Sequence, residues 1–184
     1  MTDGKIVLGE DDIQRALTRI AHEIAERNRG DSKIAIVGIH RRGAVLAGRL
    51  REILQSLLGA PVPFGDLDIG FYRDDVASRP EAPVLHSSHV DFDLDGRTIV
   101  IVDDVLYTGR TVRAAIEALF DYGRPQRVQL AVLADRGHRE LPIRPDYVGK
   151  NLPTSREERV NVRVREIDGV DEVGISTAAE EVPA

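Results

Sequence analysis

The sequence predicts an α/β protein with a central, mostly parallel sheet flanked by helices. Three observations carry this expectation. The apolar runs 34–39 and 98–102, rich in β-branched residues, have the composition of strands buried on both faces. Segments with apolar residues at helical spacing alternate with them. Glycine and proline punctuate the joins, as at Gly59 with Pro61 and Gly123 with Pro125.

Taken in order, Ile13, Ala16, Leu17, Ile20, Ala21 and Ile24 form one stripe of a first helix, closed by a basic last turn at Arg29 and Gly30. After the strand at 34–39, Arg42 and Gly43 lead into a second helix through Ala44, Leu46, Ala47, Leu50, Ile53, Leu54 and Leu57. Leu67, Ile69 and Phe71 alternate with Asp66, Asp68 and Gly70, which predicts a half-exposed strand within 62–72. The stretch 73–93 has no sustained period, and a loop of that length in a compact domain is functional or disordered. Asp95 and Gly96 mark a turn before the strand at 98–102. A third helix over 111–121 turns Ala115, Ile116 and Leu119 inward, and another strand spans 127–134. Beyond Asp135 the pattern breaks up around Pro142, Pro145 and Pro153, then becomes strand-like at Val160, Val162, Val164 and 173–175. The expectation is a single domain over 1–176, with a small irregular lid mainly from 135–170 and a disordered tail at 177–184.

Composition narrows the function classes. A chain of 184 residues buries one substantial core without disulfides or metal, and the absence of cysteine excludes thiol catalysis and thiolate metal sites. A formal charge of −6 argues against indiscriminate coating of nucleic acid and leaves only a local basic patch open. The start has no basic flank followed by an apolar run, and no apolar stretch nears the roughly 20 residues of a membrane span. A cytoplasmic protein with no membrane partner is expected.

The chemistry concentrates between Ile99 and Thr111. Asp103 and Asp104 follow four β-branched apolar residues, and adjacent acids at a strand end accept hydrogen bonds from two vicinal ribose hydroxyls. Thr108, Gly109, Arg110 and Thr111 then enter a helix, offering backbone N–H groups and hydroxyls to an anion. An acidic pair also serves as a polar cap, and Thr-Gly as an ordinary turn. Their combination after a buried strand is what points to a ribose 5-phosphate.

Strand, twin acids and Thr-Gly-x-Thr loop resemble the signature of the type I phosphoribosyltransferase family. Within it, 103–111, Tyr72-Arg73-Asp74-Asp75, 135–143 and Val148-Gly149-Lys150-Asn151 are similar to the bifunctional pyrimidine operon regulators that are also uracil phosphoribosyltransferases, over roughly 9–173. The resemblance implies the type I phosphoribosyltransferase fold. It implies that uracil and phosphoribosyl pyrophosphate are converted to UMP, and that UMP or UTP governs binding of a leader RNA that attenuates transcription. It further implies a pyrophosphate loop at His40, Arg41, Arg42 and Gly43 and a flexible catalytic loop at about 72–92 carrying Arg73. Asp103 and Asp104 would be catalytic and would hold Mg2+ directly or through water. Tyr107 stands where purine-specific members carry an acid, which disfavours a purine and leaves proton transfer unassigned. Uracil would be read by backbone groups near 134–137.

An RNA surface is the remaining expectation. Arg15, Thr18, Arg19, His22, Glu26 and Arg29 share the polar face of the first helix, a pattern that solvated helix faces also show. The resemblance assigns RNA contact to Thr18, Arg19, His22 and Arg27, joined by His138, Arg139, Arg144 and Lys150, and implies a homodimer or larger homo-oligomer. Two other readings stay open from sequence: a uracil phosphoribosyltransferase alone, and a catalytically silent nucleotide sensor.

Overall fold

The computed structural model describes residues 4–72 and 87–177. Its elements run β1 (Lys5–Leu8), α1 (Glu10–Arg27), β2 (Ile34–Ile39), α2 (Arg42–Leu58), β3 (Phe64–Leu67), β4 (Thr98–Leu106), α3 (Arg110–Phe120), β5 (Arg127–Asp135), β6 (Tyr147–Asn151), β7 (Glu158–Arg163), α4 (Arg165–Asp168) and β8 (Glu172–Thr177). Five strands form a parallel sheet in the order β3-β2-β4-β5-β6. A separate antiparallel sheet has the order β1-β8-β7.

The period-2 geometry of a strand explains the unbroken apolar runs. Ile34, Ile36, Val100, Val102, Ala131 and Leu133 face α1 and α2, while Ala35, Val37, Ile99, Ile101, Leu130 and Val132 face α3. Both faces are covered, so neither set is polar. The predicted stripe of α1 is buried at all six positions, and α2 ends at a left-handed Gly59 (φ 64°). Gly38 lets α2 settle onto β2: a Cβ there would meet Ala44 Cα at 2.4 Å and Ala47 Cβ at 2.8 Å.

Several expectations change. The strand within 62–72 stops at Leu67, because Asp68 Oδ1 takes the Gly70 N–H at 2.8 Å and Tyr72 N–H bonds to Ile69 O, closing a turn. Phe71 is consequently 78 % exposed instead of continuing the buried alternation. The strand begun at Thr98 runs on to Leu106, so the twin acids lie inside it and not beyond its tip. The 135–170 region divides: β6 adds to the main sheet through Ala131↔Tyr147 to Asp135↔Asn151, leaving β7 and α4 outside it. The small sheet takes its third strand from Lys5–Leu8, a four-residue segment too short to announce itself in the sequence. Thr177, placed in the tail by the sequence, closes β8; positions 178–184 lie outside the described residues, as does most of the 72–92 loop.

One buried polar cluster joins α1 to β5 and β6. Tyr147 OH donates to Gln129 Oε1 at 2.8 Å, and Asn28 Nδ2 donates to Gln129 Oε1 (3.0 Å) and to the Tyr147 oxygen (3.2 Å). Gln129 Nε2 returns a bond to Asn28 Oδ1 at 2.9 Å. Tyr147→Phe should therefore lower unfolding free energy by about 1–2 kcal/mol in a urea titration, the cost of a buried network missing one member.

Candidate functional site

The order of the main sheet reverses direction between β2 and β4, and ligands of open α/β sheets bind at the carboxyl ends of strands flanking such a reversal. Here β2 pairs with β4 only as far as Gly38↔Val102, whereas β4 stays paired with β5 to Leu106↔Asp135. Asp103 and Asp104 occupy the stretch released on one side. The turn after β2 closes against them. A Cβ on Gly43 would lie 2.8 Å from Val102 O and 3.1 Å from Asp103 Cα, so glycine is what permits the approach.

Asp104 N–H donates to Asp103 Oδ1 at 2.9 Å, and Val105 N–H donates to Asp104 Oδ1 at 2.7 Å. Burial pushes the Asp104 carboxyl above the ordinary aspartate range, more than the Val105 N–H and the nearby Arg42 charge draw it down. Past the acids, Gly109 adopts a left-handed conformation (φ 94°) and α3 begins. A cavity of about 330 Å3 lies here, lined by Asp103, Tyr107, Thr108, Gly109, Arg110, Thr111 and Glu140 among others. Asp103 and the Thr-Gly-x-Thr turn thus share one cavity at a helix N-terminus, with Asp104 next to it in the strand, an arrangement suited to an anion on a polyhydroxyl group.

The turn at 40–43 has mixed roles. The His40–Arg41 peptide is cis. His40 Nε2 sits 2.5 Å from Asp66 Oδ1 on β3, so its ring is tied to the neighbouring strand. Arg41 is exposed. Arg42 spends its Nε and Nη2 on Asp168 of α4, at 3.0 and 2.7 Å, and Asp168 is held below its ordinary range by that pair. The Nη1 edge of the fork remains for an anion. Arg73 lies outside the described residues.

On the other flank, the segment after β5 is laced to the phosphate turn. Glu140 and Leu141 N–H donate to Thr108 O at 2.9 and 3.2 Å, Arg139 Nη1 donates to Tyr107 O at 2.8 Å, and Arg110 Nε pairs with Glu140 at 2.8 Å. Arg136, 7 % exposed, stacks its guanidinium 4.1 Å from the centre of the Tyr107 ring. Its Nε is the single buried side-chain polar atom without a partner among the described residues, which the ring face offsets in part. Asp66 and Asp168 were not signalled by the sequence, and Arg136 and Glu140 only as members of the 135–143 motif, without their partners. Asp168 is 126 positions from Arg42, and no spacing rule links them.

The expected RNA residues divide. Thr18 Oγ1 donates to Gln14 O, and Arg19 bonds to Glu23 and to the carbonyls of Val148 and Gly149, which makes it a strut between α1 and β6. Arg139 is spent inside the protein on Asp135, Tyr107 O and Ile143 O, and His138 reaches Thr154 O at 2.5 Å, so neither presents a free charge. Arg27 pairs with Asp146 at 2.8 Å. His22, Arg144 and Lys150 are exposed. His22 and Arg27 line an open cavity of about 530 Å3 with Glu23, Glu26, Asp146 and Tyr147. Among the described residues, no helix is long and apolar enough to cross a membrane and no group of three or more metal-ligating side chains occurs.

Sheet order, acid pair and phosphate turn together define a protein of the phosphoribosyltransferase class. The model of the phosphoribosyl transferase domain matches residues 9–165. A bifunctional protein PyrR of Roseiflexus sp. (strain RS-1) is 62 % identical over 165 residues, covering 90 % of each chain, and one of Acetivibrio thermocellus is 58 % identical over 176 residues, covering 96 % of each. Among solved structures, a hypoxanthine phosphoribosyltransferase of Trypanosoma cruzi superposes with a TM-score of 0.75 over 97 % of both chains at 20 % identity, a likeness of fold. The chain belongs to the phosphoribosyl transferase family and, within it, to the bifunctional PyrR proteins.

Two outcomes follow from this geometry. Gly43→Val should drive the 40–43 turn off the acid strand and reduce phosphoribosyl transfer by about 100-fold with the fold retained, read by turnover beside circular dichroism. A carboxylate that accepts from a ribose hydroxyl must be ionised, so with Asp104 in that role ligand affinity should fall on acidification, starting at a pH above that of an ordinary aspartate. Calorimetry with uridine, which has no phosphate to titrate, across acidic pH should show this dependence in the parent and lose most of it in Asp104→Asn.

Proposed function

We propose that this protein is a uridine-nucleotide-dependent RNA-binding regulator, attenuating transcription of pyrimidine-biosynthesis genes, that also forms UMP and pyrophosphate from uracil and phosphoribosyl pyrophosphate. The observation that carries it is the single cavity uniting Asp103 with the turn Thr108, Gly109, Arg110 and Thr111. The 5′-phosphate sits at that turn, where N–H groups and hydroxyls receive it, and the ribose hydroxyls donate to Asp103 and Asp104. The pyrophosphate lies toward Arg41, the free edge of Arg42 and Gly43. In the reaction the anomeric carbon–oxygen bond breaks, a bond to the uracil nitrogen forms and that nitrogen loses its proton. The sugar gains oxocarbenium character, and fixed charges on either side stabilise it and the departing anion. Adjacent carboxylates are the hard oxygen donors that magnesium takes, so Asp103 and Asp104 would hold Mg2+, directly or through water, with the substrate supplying other ligands. The ion, when bound, offsets the charge of the leaving pyrophosphate.

RNA binding rests on His22, Arg144 and Lys150, with Arg27 at the rim of the adjoining cavity. Such a patch on an acidic protein gives a steep salt dependence. Both activities place the protein in the cytoplasm. The exposed Phe71, Phe120 and Tyr122, drawn together by the hydrogen bond from Tyr72 OH to Asp121, supply apolar surface for a homodimer or larger homo-oligomer.

The test is UMP formation from uracil and phosphoribosyl pyrophosphate with magnesium, beside binding of a pyrimidine-operon leader RNA with and without UMP. Asp104→Asn should lower turnover by about 100-fold and spare RNA binding measured without UMP or at saturating UMP, whereas His22→Ala should weaken RNA and spare turnover. No turnover by the parent, or equal RNA affinity with and without UMP, would sink the corresponding half of the proposal.

A further inference from the structure

Glu140 lines the cavity assigned to the nucleotide 5′-phosphate, a place where a carboxylate opposes the ligand it faces. It is tied there from two directions. Its side chain accepts from Arg110 Nε at 2.8 Å, and its backbone N–H donates to Thr108 O at 2.9 Å, both partners belonging to the phosphate turn. Leu141 N–H donates to the same carbonyl, and Gly109 has Ile143 and Leu141 side chains within reach of any added Cβ. Glu140 begins the stretch that carries Arg144, while Arg139 before it bonds to Tyr107 O and to Ile143 O.

We infer that Glu140 occupies Arg110 in place of the nucleotide phosphate, setting the affinity of the site and carrying the signal of its occupancy along 139–144 to the exposed Arg144. The inference rests on the phosphate and RNA roles proposed above. A dianionic phosphate entering the turn competes for the Arg110 guanidinium and repels the carboxylate, so Glu140 must give way. Thr108 belongs to the turn the phosphate enters, and its carbonyl is held by the Glu140 and Leu141 N–H groups, so a shift of that turn on phosphate entry is passed to 140–141 and, through Arg139, to Tyr107 and Ile143. A nucleotide therefore interacts differently with two arrangements of a segment that also faces RNA, which is the requirement for linked sites. A neutral nucleoside brings no such competitor.

The test compares the full-length parent with Glu140→Gln, using calorimetry with UMP and with uridine and a filter-binding titration of a pyrimidine-operon leader RNA at fixed salt. UMP should bind about three- to tenfold tighter to Glu140→Gln, the modest range of a half-exposed charge, while uridine affinity is unchanged. The variant's RNA affinity should no longer depend on UMP. Glu140→Asp should recover part of the parental behaviour, and in an Arg110→Gln background Glu140→Gln should lose most of its effect on UMP. Unchanged or weaker UMP binding by a variant that melts like the parent would overturn the inference. Tighter UMP binding with an intact RNA response would overturn its coupling half. A parent that binds no UMP would instead refute the functional reading itself, and this inference with it.

Discussion

Strand β4 outruns its neighbour β2 by four residues while keeping its hydrogen bonds to β5, and the acid pair stands in that overhang. A strand paired on one side keeps its position yet leaves its other side open to a second element. That element is the turn at 40–43, which comes close enough only because Gly43 lacks a Cβ. The acid pair and the turn at 40–43 across from it are thus organised by one mismatch in strand length and one missing side chain.

Around this centre, arginine–carboxylate pairs join the small sheet to the body. Arg42 grips Asp168, Arg49 of α2 reaches Glu166 and Asp171, and Arg165 pairs with Glu10. Several of these side chains are partly exposed, so each pair contributes little on its own to stability. Their value is geometric: a forked guanidinium held on one edge has one orientation left for its other edge. Arg42, whose charge lies near Asp104, is held in this way by Asp168, between β7 and β8 of the small sheet. The apolar side chains Leu8, Val162, Val164 and Val173 pack in the same core as α1 and α2, so the attachment is not made by charge alone.

A count of basic residues in this protein is a poor guide to what is available to a polyanion. Arg19 and Arg139 are absorbed as struts bonding backbone carbonyls, Arg136 is buried against Tyr107, and Arg27 is neutralised by Asp146. The exposed His22 and Arg27 sit beside acidic Glu23, Glu26 and Asp146. That arrangement disfavours indiscriminate binding, in keeping with the net charge of −6.

The parallel sheet, its three long helices and the acid-plus-turn site were legible in the sequence because each depends on neighbours in the chain: period-2 and period-3.6 burial, a glycine cap, and adjacent residues at a strand's end. Strand ends were less so. An Asp68 side chain halts β3, and pairing with β5 prolongs β4 through two aspartates. The membership of the small sheet, the pairing of Arg42 with Asp168, the diversion of His40 to Asp66 and the placement of Glu140 against Arg110 were decided by tertiary structure alone. Each joins residues tens of positions apart, and a side chain's partner at that distance depends on which surfaces the packed core brings face to face, information that no local pattern holds.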